Sequence, residues 1–186
     1  MHRLKGAEFA KRALEVAGDD PGILVDAALA LAYFGEDLGV ITALVDRALA
    51  LNPSFAWGWR ASGILRLWAG QFDIAIEHLE AALRLSPRTR GASFALIGRA
   101  HFFARRFDEA VPKLLLAIQD YPRDAQPYRT LAACYAHMGR LEDARAIINR
   151  LRAITSAVIP DASFLRSAED RELYLSGRRL AVGEET

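Results

Sequence analysis

Residues 56–87 read AWGWRASGILRLWAGQFDIAIEHLEAALRLSP, and residues 91–122 read GASFALIGRAHFFARRFDEAVPKLLLAIQDYP. In both stretches apolar residues recur every three or four positions on each side of a short turn, which predicts two amphipathic helices. Pro87 and Pro122 close the stretches, and the residue before a proline is biased away from helix. Each stretch is therefore predicted to fold as a helical hairpin.

The hairpin pattern occurs three times between residues 56 and 155. An aromatic residue recurs at intervals of 35 and 34 residues, as Trp59, Phe94 and Tyr128. Small residues keep the same register in the first helix, as Gly63, Gly98 and Ala132, and in the second helix, as Ala75, Ala110 and Ala144. A period in this range indicates a repeat architecture, and the small pairs predict a close approach of the two helices in each hairpin.

With its aromatic, small-residue and proline positions, this pattern resembles the tetratricopeptide repeat (TPR) family. The resemblance implies an all-α fold, a right-handed α-solenoid of TPR helical hairpins closed by a C-terminal capping helix. We expect a single TPR domain over residues 1–186. Its expected segments are an N-terminal helix at 4–20, a degenerate repeat at 21–54, repeats at 55–89, 90–124 and 125–156, and a C-terminal extension with the capping helix at 157–186.

A narrower resemblance rests on residues 48–87, on HFFARRFDEAV at 101–111 and on RSAEDRELYLSGRR at 166–179. These runs are similar to the TPR region that follows the catalytic domain in bacterial class III adenylate cyclases, and related arrays follow winged-helix transcription-regulator domains. The resemblance implies a regulatory or docking region of a bacterial signalling protein. No cyclase residue carries over, because this sequence has no strand pattern to hold the catalytic aspartates.

Composition restricts the classes of partner. The chain has 24 Lys and Arg against 23 Asp and Glu, so no overall field attracts nucleic acid or an anionic membrane. We therefore expect neither as a partner. The single cysteine, Cys134, cannot form an internal disulfide, which favours a reducing compartment and a cytoplasmic location. No apolar stretch is long enough to predict a membrane span.

Catalytic, cofactor and metal motifs are missing from the sequence. HExxH, CxxC, GxSxG, GxGxxG and the phosphate-binding loop are all absent, and no two of the four histidines have the i, i+4 spacing of a zinc pair. We expect no catalytic residue, no cofactor and no metal. The predicted function is a non-catalytic module that binds a protein or peptide.

In the TPR family the first helix of each hairpin lines a concave face, and here that face predicts a groove of aromatic and basic side chains. The predicted groove residues are Trp57, Arg60, Ile64, Trp68, Arg99, Phe102, Phe103, Arg129 and His137, with Tyr33 from the degenerate repeat. Arg60, Arg99 and Arg129 form a predicted basic ladder suited to an acidic or C-terminal peptide. The alternative for Trp57, Trp68 and Phe103 is packing between hairpins.

Some positions depart from the family pattern. The chaperone-binding members clamp a terminal carboxylate with a first-helix asparagine, where this chain has Ile64, Arg99 and Ala133, which argues against a chaperone cofactor. Ser62 and Arg66 stand at positions that are usually apolar, and the role of Arg66 stays open. The alternative function is homo-oligomerisation, as a homodimer within a signalling or transcription-regulator protein.

Overall fold

The computed structural model describes residues 2–158, 165 and 167–183. All regular structure in these residues is helical, so the predicted all-α class is confirmed. The helices group into two compact units, Met1–Pro87 and Arg88–Thr186, and each is described by itself. Within the described residues, no helix is both long and apolar enough to cross a membrane.

The described residues of the first unit form five helices. They are α1 (His2–Ala17), α2 (Pro21–Phe34), α3 (Leu38–Leu51), α4 (Ala56–Trp68) and α5 (Phe72–Leu85). Helices α2 and α3 form the hairpin of the degenerate repeat, and α4 and α5 form the next hairpin. Helix α4 packs against α3 and also touches α2, whereas α1 packs against α2. The first helices α2 and α4 therefore lie side by side.

A short 3₁₀ turn at Pro87–Thr89 spans the boundary between the units along the chain, and the described residues of the second unit form five more α-helices. They are α6 (Arg90–Phe103), α7 (Phe107–Asp120), α8 (Ala125–His137), α9 (Leu141–Arg152) and α10 (Ala168–Val182). Helices α6 and α7 form one hairpin, and α8 and α9 form the next. Helix α7 continues through Pro112, as the sequence pattern predicts.

Small residues allow close contact inside the hairpins. A methyl group added at Gly63 would lie 2.5 Å from Cγ of Leu79 and 3.1 Å from the carbonyl oxygen of Ala75. The equivalent addition at Gly98 would lie 2.7 Å from Cγ of Leu114. Real Cβ atoms do not approach other atoms this closely, so these positions require glycine for the observed helix separation.

The turns between paired helices need a residue with positive φ. Gly70 and Gly139 adopt φ values of 75° and 73° at the ends of α4 and α8. The equivalent residue after α6 is Arg105, whose φ is 60°. A left-handed conformation costs a side-chain-bearing residue free energy that glycine does not pay. Arg105 therefore stores local strain in the second unit.

Side-chain caps fix the starts of several helices. The oxygens that accept hydrogen bonds from first-turn amides belong to Asp20 before α2, Asp37 before α3, Asp124 before α8 and Ser167 before α10. The Ser167 hydroxyl accepts a hydrogen bond from the amide of Asp170 at 3.1 Å. Each such cap satisfies a donor that the helix itself leaves unpaired.

Candidate functional site: the faces of the first helices

The first-helix face of the first unit is centred on Trp57. Its indole N–H donates to Oδ1 of Asp26 on α2 at 2.9 Å. The guanidinium carbon of Arg60 lies 5.5 Å from the centre of the Trp57 ring system, within the range of a cation–π contact. The ring is 37% exposed. Trp57 is thus oriented by both first helices while part of its surface stays open to solvent.

Neighbouring side chains extend this face. Ile64 follows Arg60 by one helical turn and is half-buried. Tyr33, near the end of α2, is 71% exposed. Trp68 is half-buried because it packs against the apolar core of the unit. The open surface therefore combines one basic group with Trp57, Ile64 and Tyr33, and Trp68 contributes mainly to packing.

The corresponding aromatic residues of the second unit are covered. Phe102 and Phe103 on α6 are both buried, and their rings lie 6.1 and 6.3 Å from the ring of Tyr174 on α10. The prediction that these two side chains line an open groove is wrong, because α10 lies over them. For Phe103 the alternative of internal packing applies.

His137 also contacts α10. Its Nε2 lies 2.8 Å from the carbonyl oxygen of Leu173, and its ring stacks on Phe107 with centroids 5.3 Å apart. A methyl group added at Gly177 would lie 2.5 Å from Nε2 of His137 and 3.0 Å from Cβ of Ala133. The predicted groove residue His137 is thus half-buried between α8 and α10, and it lines a cavity together with Arg105, Phe107 and Glu169.

The predicted arginine ladder is divided between the two units. Arg60 belongs to the first unit, whereas Arg99 and Arg129 lie in the second. Arg129 is buried, and its Nη2 donates to the carbonyl oxygen of Ala157 at 2.7 Å, so the prediction that it is open to a partner is wrong. Burial lowers the pKa of Arg99, and the nearby Tyr174 opposes that shift. Both cations therefore lie at the α10 contact.

Arg178 on α10 joins this cluster. Its side chain is 0% exposed, its Nη1 donates to the Tyr174 hydroxyl at 3.3 Å, and its Nε and Nη2 have no hydrogen-bond partner. Burial lowers the pKa of Arg178; Tyr174 opposes the shift, and the charge of Arg129 adds to it. A guanidinium nevertheless stays protonated in proteins. Like charges are thus held close together under α10.

Helix α10 does not take the position of a further first helix. In the regular stacking α8 packs chiefly against the preceding second helix, α7, and less against α6. Helix α10 instead packs chiefly against the first helix α8, less against α9, and reaches α6. It covers the face formed by α6 and α8. The sequence predicted only that this helix caps the end of the array, and did not predict that it covers this face. The glycine in the middle of ELYLSGRR was the available signal, because such a glycine usually has a packing reason.

Arg66 belongs to a polar network in the first unit. It donates from Nη1 to the Ser62 hydroxyl at 2.6 Å and from Nη2 to Asp46 on α3 at 2.9 Å. Nδ1 of His78 lies 3.0 Å from the same hydroxyl, and its ring packs edge-on against Trp59. Because Arg66 donates to the Ser62 oxygen, the Ser62 proton is available to neutral His78. Burial, followed by the charge of Arg66, lowers the pKa of His78. The network links α3, α4 and α5.

The described residues were also compared with the requirements of a metal site and of a reactive cysteine. Among the residues that the structure describes, no three His, Cys, Asp or Glu side chains come together in a way that could hold a metal ion. Cys134 is buried, and burial raises the pKa of its thiol well above the usual range. A protonated, buried thiol is a poor nucleophile.

A family comparison agrees with the repeat pattern. The family model described as tetratricopeptide repeat matches residues 104–157. Superkiller complex protein 3 of Mus musculus is 28% identical over 122 residues, which cover 66% of this chain. The aligned part is 8% of the mouse protein, so the chain spans less than a tenth of that relative's length.

Solved structures share the fold. The structure of MamA from residue 41 onward, from Desulfovibrio magneticus RS-1, superposes with a TM-score of 0.70 at 18% identity, covering 82% of this chain and 85% of that one. YrrB, described as a TPR protein with an unusual peptide-binding site, gives a TM-score of 0.64 at 23% identity, covering 95% and 88% of the two chains. At these identities the likeness is one of fold.

Proposed function

We propose that this chain is a non-catalytic protein-binding module that holds a peptide segment on the α2 and α4 face of its first unit. The observation that carries the proposal is the Trp57 ring, held by Asp26 and Arg60 while part of its surface stays exposed. Partly exposed tryptophan beside arginine is the composition of binding hot spots.

The chemistry of this face favours an acidic and apolar segment. A carboxylate of the ligand pairs with Arg60, whose guanidinium is already ordered by the Trp57 ring. Apolar side chains of the ligand cover Trp57, Ile64 and Tyr33, removing apolar surface from water. Asp26, paired with the indole N–H, repels a second carboxylate and restricts the ligand's charge to the Arg60 side.

A protein of similar fold is described as peptide-binding. YrrB is described as having a peptide-binding site, and it supports the proposal by analogy of fold alone. The proposal for the α2 and α4 face therefore depends on the side chains of this chain and not on the position of the YrrB site.

Peptide binding tests the function. Arrayed short peptides are screened against the full chain, and the selected peptide is titrated against three variants. Trp57→Ala weakens binding by about tenfold or more, as expected for a hot-spot tryptophan. Arg60→Glu also weakens it, whereas Arg84→Glu, at an exposed position on α5, has no effect. Equal affinities for all variants, with unchanged helicity by circular dichroism, would remove this face from consideration.

The biological setting is proposed from the sequence resemblance. We propose a cytoplasmic regulatory or docking role associated with a bacterial adenylate cyclase, which the relatives named above neither support nor exclude. Sequencing of the gene upstream of Met1 tests the proposal. A continuous frame encoding a cyclase domain supports it, whereas a stop codon in that frame leaves a free-standing adaptor without a cyclase domain of its own.

A further inference from the structure

Helix α10 is a self-contained element. The Ser167 hydroxyl caps its first turn, and Gly183, with a φ of 86°, ends it in the left-handed conformation. Its buried residues are Leu173, Tyr174, Gly177, Arg178 and Ala181. They recur with helical spacing, so they form one stripe, and this stripe faces α6, α8 and α9. The helix thus presents a single contact surface to the rest of the unit.

The contacts of this stripe resemble those of a bound helical ligand. Tyr174 lies against Phe102 and Phe103 as an aromatic anchor. Gly177 allows the helix to approach Ala133 and His137 closely. An anchor residue in an aromatic pocket with a small residue one turn later is typical of helix-in-groove recognition.

The docking of α10 also has an unfavourable feature. Arg178 is buried with its Nε and Nη2 unpaired, its partner being Tyr174, and the charge of Arg129 on α8 opposes its own. A buried cation with incomplete hydrogen bonding is costly. Arg105 pairs with Glu169 of α10 at 2.9 Å, but both side chains are exposed, so this ion pair adds little. The helix is therefore held less tightly than its buried stripe alone suggests.

We propose that the α6 and α8 face is a helix-binding surface, and that α10 is its exchangeable intramolecular occupant. The partner that replaces α10 is an amphipathic helix with an aromatic anchor, a glycine three residues later and an acidic side chain in the place of Arg178. That acidic group pairs with Arg129 where Arg178 repels it. The inference rests on the proposed protein-binding function, because it names a second site and its partner class.

Synthetic peptides test the surface directly. Fluorescein-labelled peptides of residues 167–183 are added to the full chain, and anisotropy is measured. The peptide carrying Arg178→Glu binds at least about tenfold more tightly than the native peptide, because an opposed buried pair replaces a like-charged one. The Arg178→Gln peptide, which loses the like charge without supplying an opposite one, serves as the control and leaves the Arg179–Glu172 pair intact. Equal affinity of the Glu and Gln peptides overturns the proposal, as does the absence of saturable binding by the Arg178→Glu peptide.

Hydrogen exchange of the free chain tests whether α10 opens by itself. We expect its amides to exchange faster than those of α8 and α9, as in sub-global opening. Arg105→Gly removes the exposed ion pair to Glu169 and relieves the strained turn, so it accelerates exchange in α10 by about two- to fivefold without accelerating it in α8 and α9. Identical exchange of α8, α9 and α10 in both proteins shows a permanent cap and overturns the proposal. Neither experiment involves the α2 and α4 face, so either can fail while the proposed function stands.

Discussion

Single residues set how closely the helices of a hairpin approach. Gly63 and Gly98 face Leu79 and Leu114 at distances that leave no room for a side chain. The repeat register identified both glycines because their surroundings repeat. Arg66 could not be interpreted in this way, because its carboxylate partner Asp46 belongs to another helix, α3, and meets it only in the folded unit.

Substitution of Gly63 by alanine tests the close approach. The new methyl group meets Leu79 in the core, so we expect Gly63→Ala to lower the free energy of unfolding by about 1–3 kcal/mol. The usual preference of helices for alanine would act in the opposite direction. Chemical denaturation of the full chain measures the difference. A variant as stable as the wild type would contradict the packing described here.

The His78 network predicts a pH dependence of stability. The folded state lowers the pKa of His78 below its ordinary value of 6.5 through burial and Arg66, against the opposing charges of Glu77 and Asp46. Below that ordinary value the unfolded chain takes up a proton that the folded chain does not, so the free energy of unfolding decreases as pH falls. The decrease ends below the folded pKa.

The comparison with His78→Gln isolates this contribution. Denaturation curves recorded between about pH 7.5 and 5 should show a smaller decrease for the variant than for the wild type, since the range brackets the usual histidine pKa. If the two proteins lose stability in parallel, other groups cause the decrease and the network is not responsible.

At the scale of elements, repeated hairpins were predictable and α10 was not. The hairpins follow from apolar periodicity and from small residues that recur in register, both of which are local signals. The existence of α10 also followed from local sequence. The face on which α10 packs could not be predicted from local sequence. Whether α10 packs on the end of the array or on the face of α6 and α8 depends on contacts between residues distant in sequence, such as Tyr174 and Phe102.

Pro112 lowers the stability of helix α7. Pro112 is exposed inside α7, where it removes one backbone hydrogen bond without filling the core. We expect Pro112→Ala to raise the free energy of unfolding by about 1 kcal/mol or more, because a proline beyond the first turn of a helix is costly. Thermal unfolding followed by circular dichroism measures the change. A lower midpoint for the variant would show that the ring makes stabilising contacts.

At the scale of the molecule, the two units present their first helices differently. In the first unit Trp57 and Tyr33 stay exposed on α2 and α4. In the second unit α10 covers Phe102 and Phe103. The predicted groove residues therefore separate into an open group and a covered group. Repeat register alone could not distinguish the two groups, because it assigns equivalent positions in every repeat to the same face.

Self-association is the competing explanation of the exposed aromatic residues. We expect sedimentation velocity at tens of micromolar to give a monomer, because isolated exposed apolar side chains are normal on monomeric proteins. A dimer that dissociates in the Trp57→Ala variant would assign the α2 and α4 face to contacts between copies instead.

The most direct test is to map a bound peptide on the isotopically labelled full chain by amide chemical shifts. With the peptide selected by the array, we expect the largest changes on α2 and α4 around Asp26, Trp57 and Arg60. Changes concentrated on the second helices α3 and α5, with α2 and α4 unaffected, would contradict it.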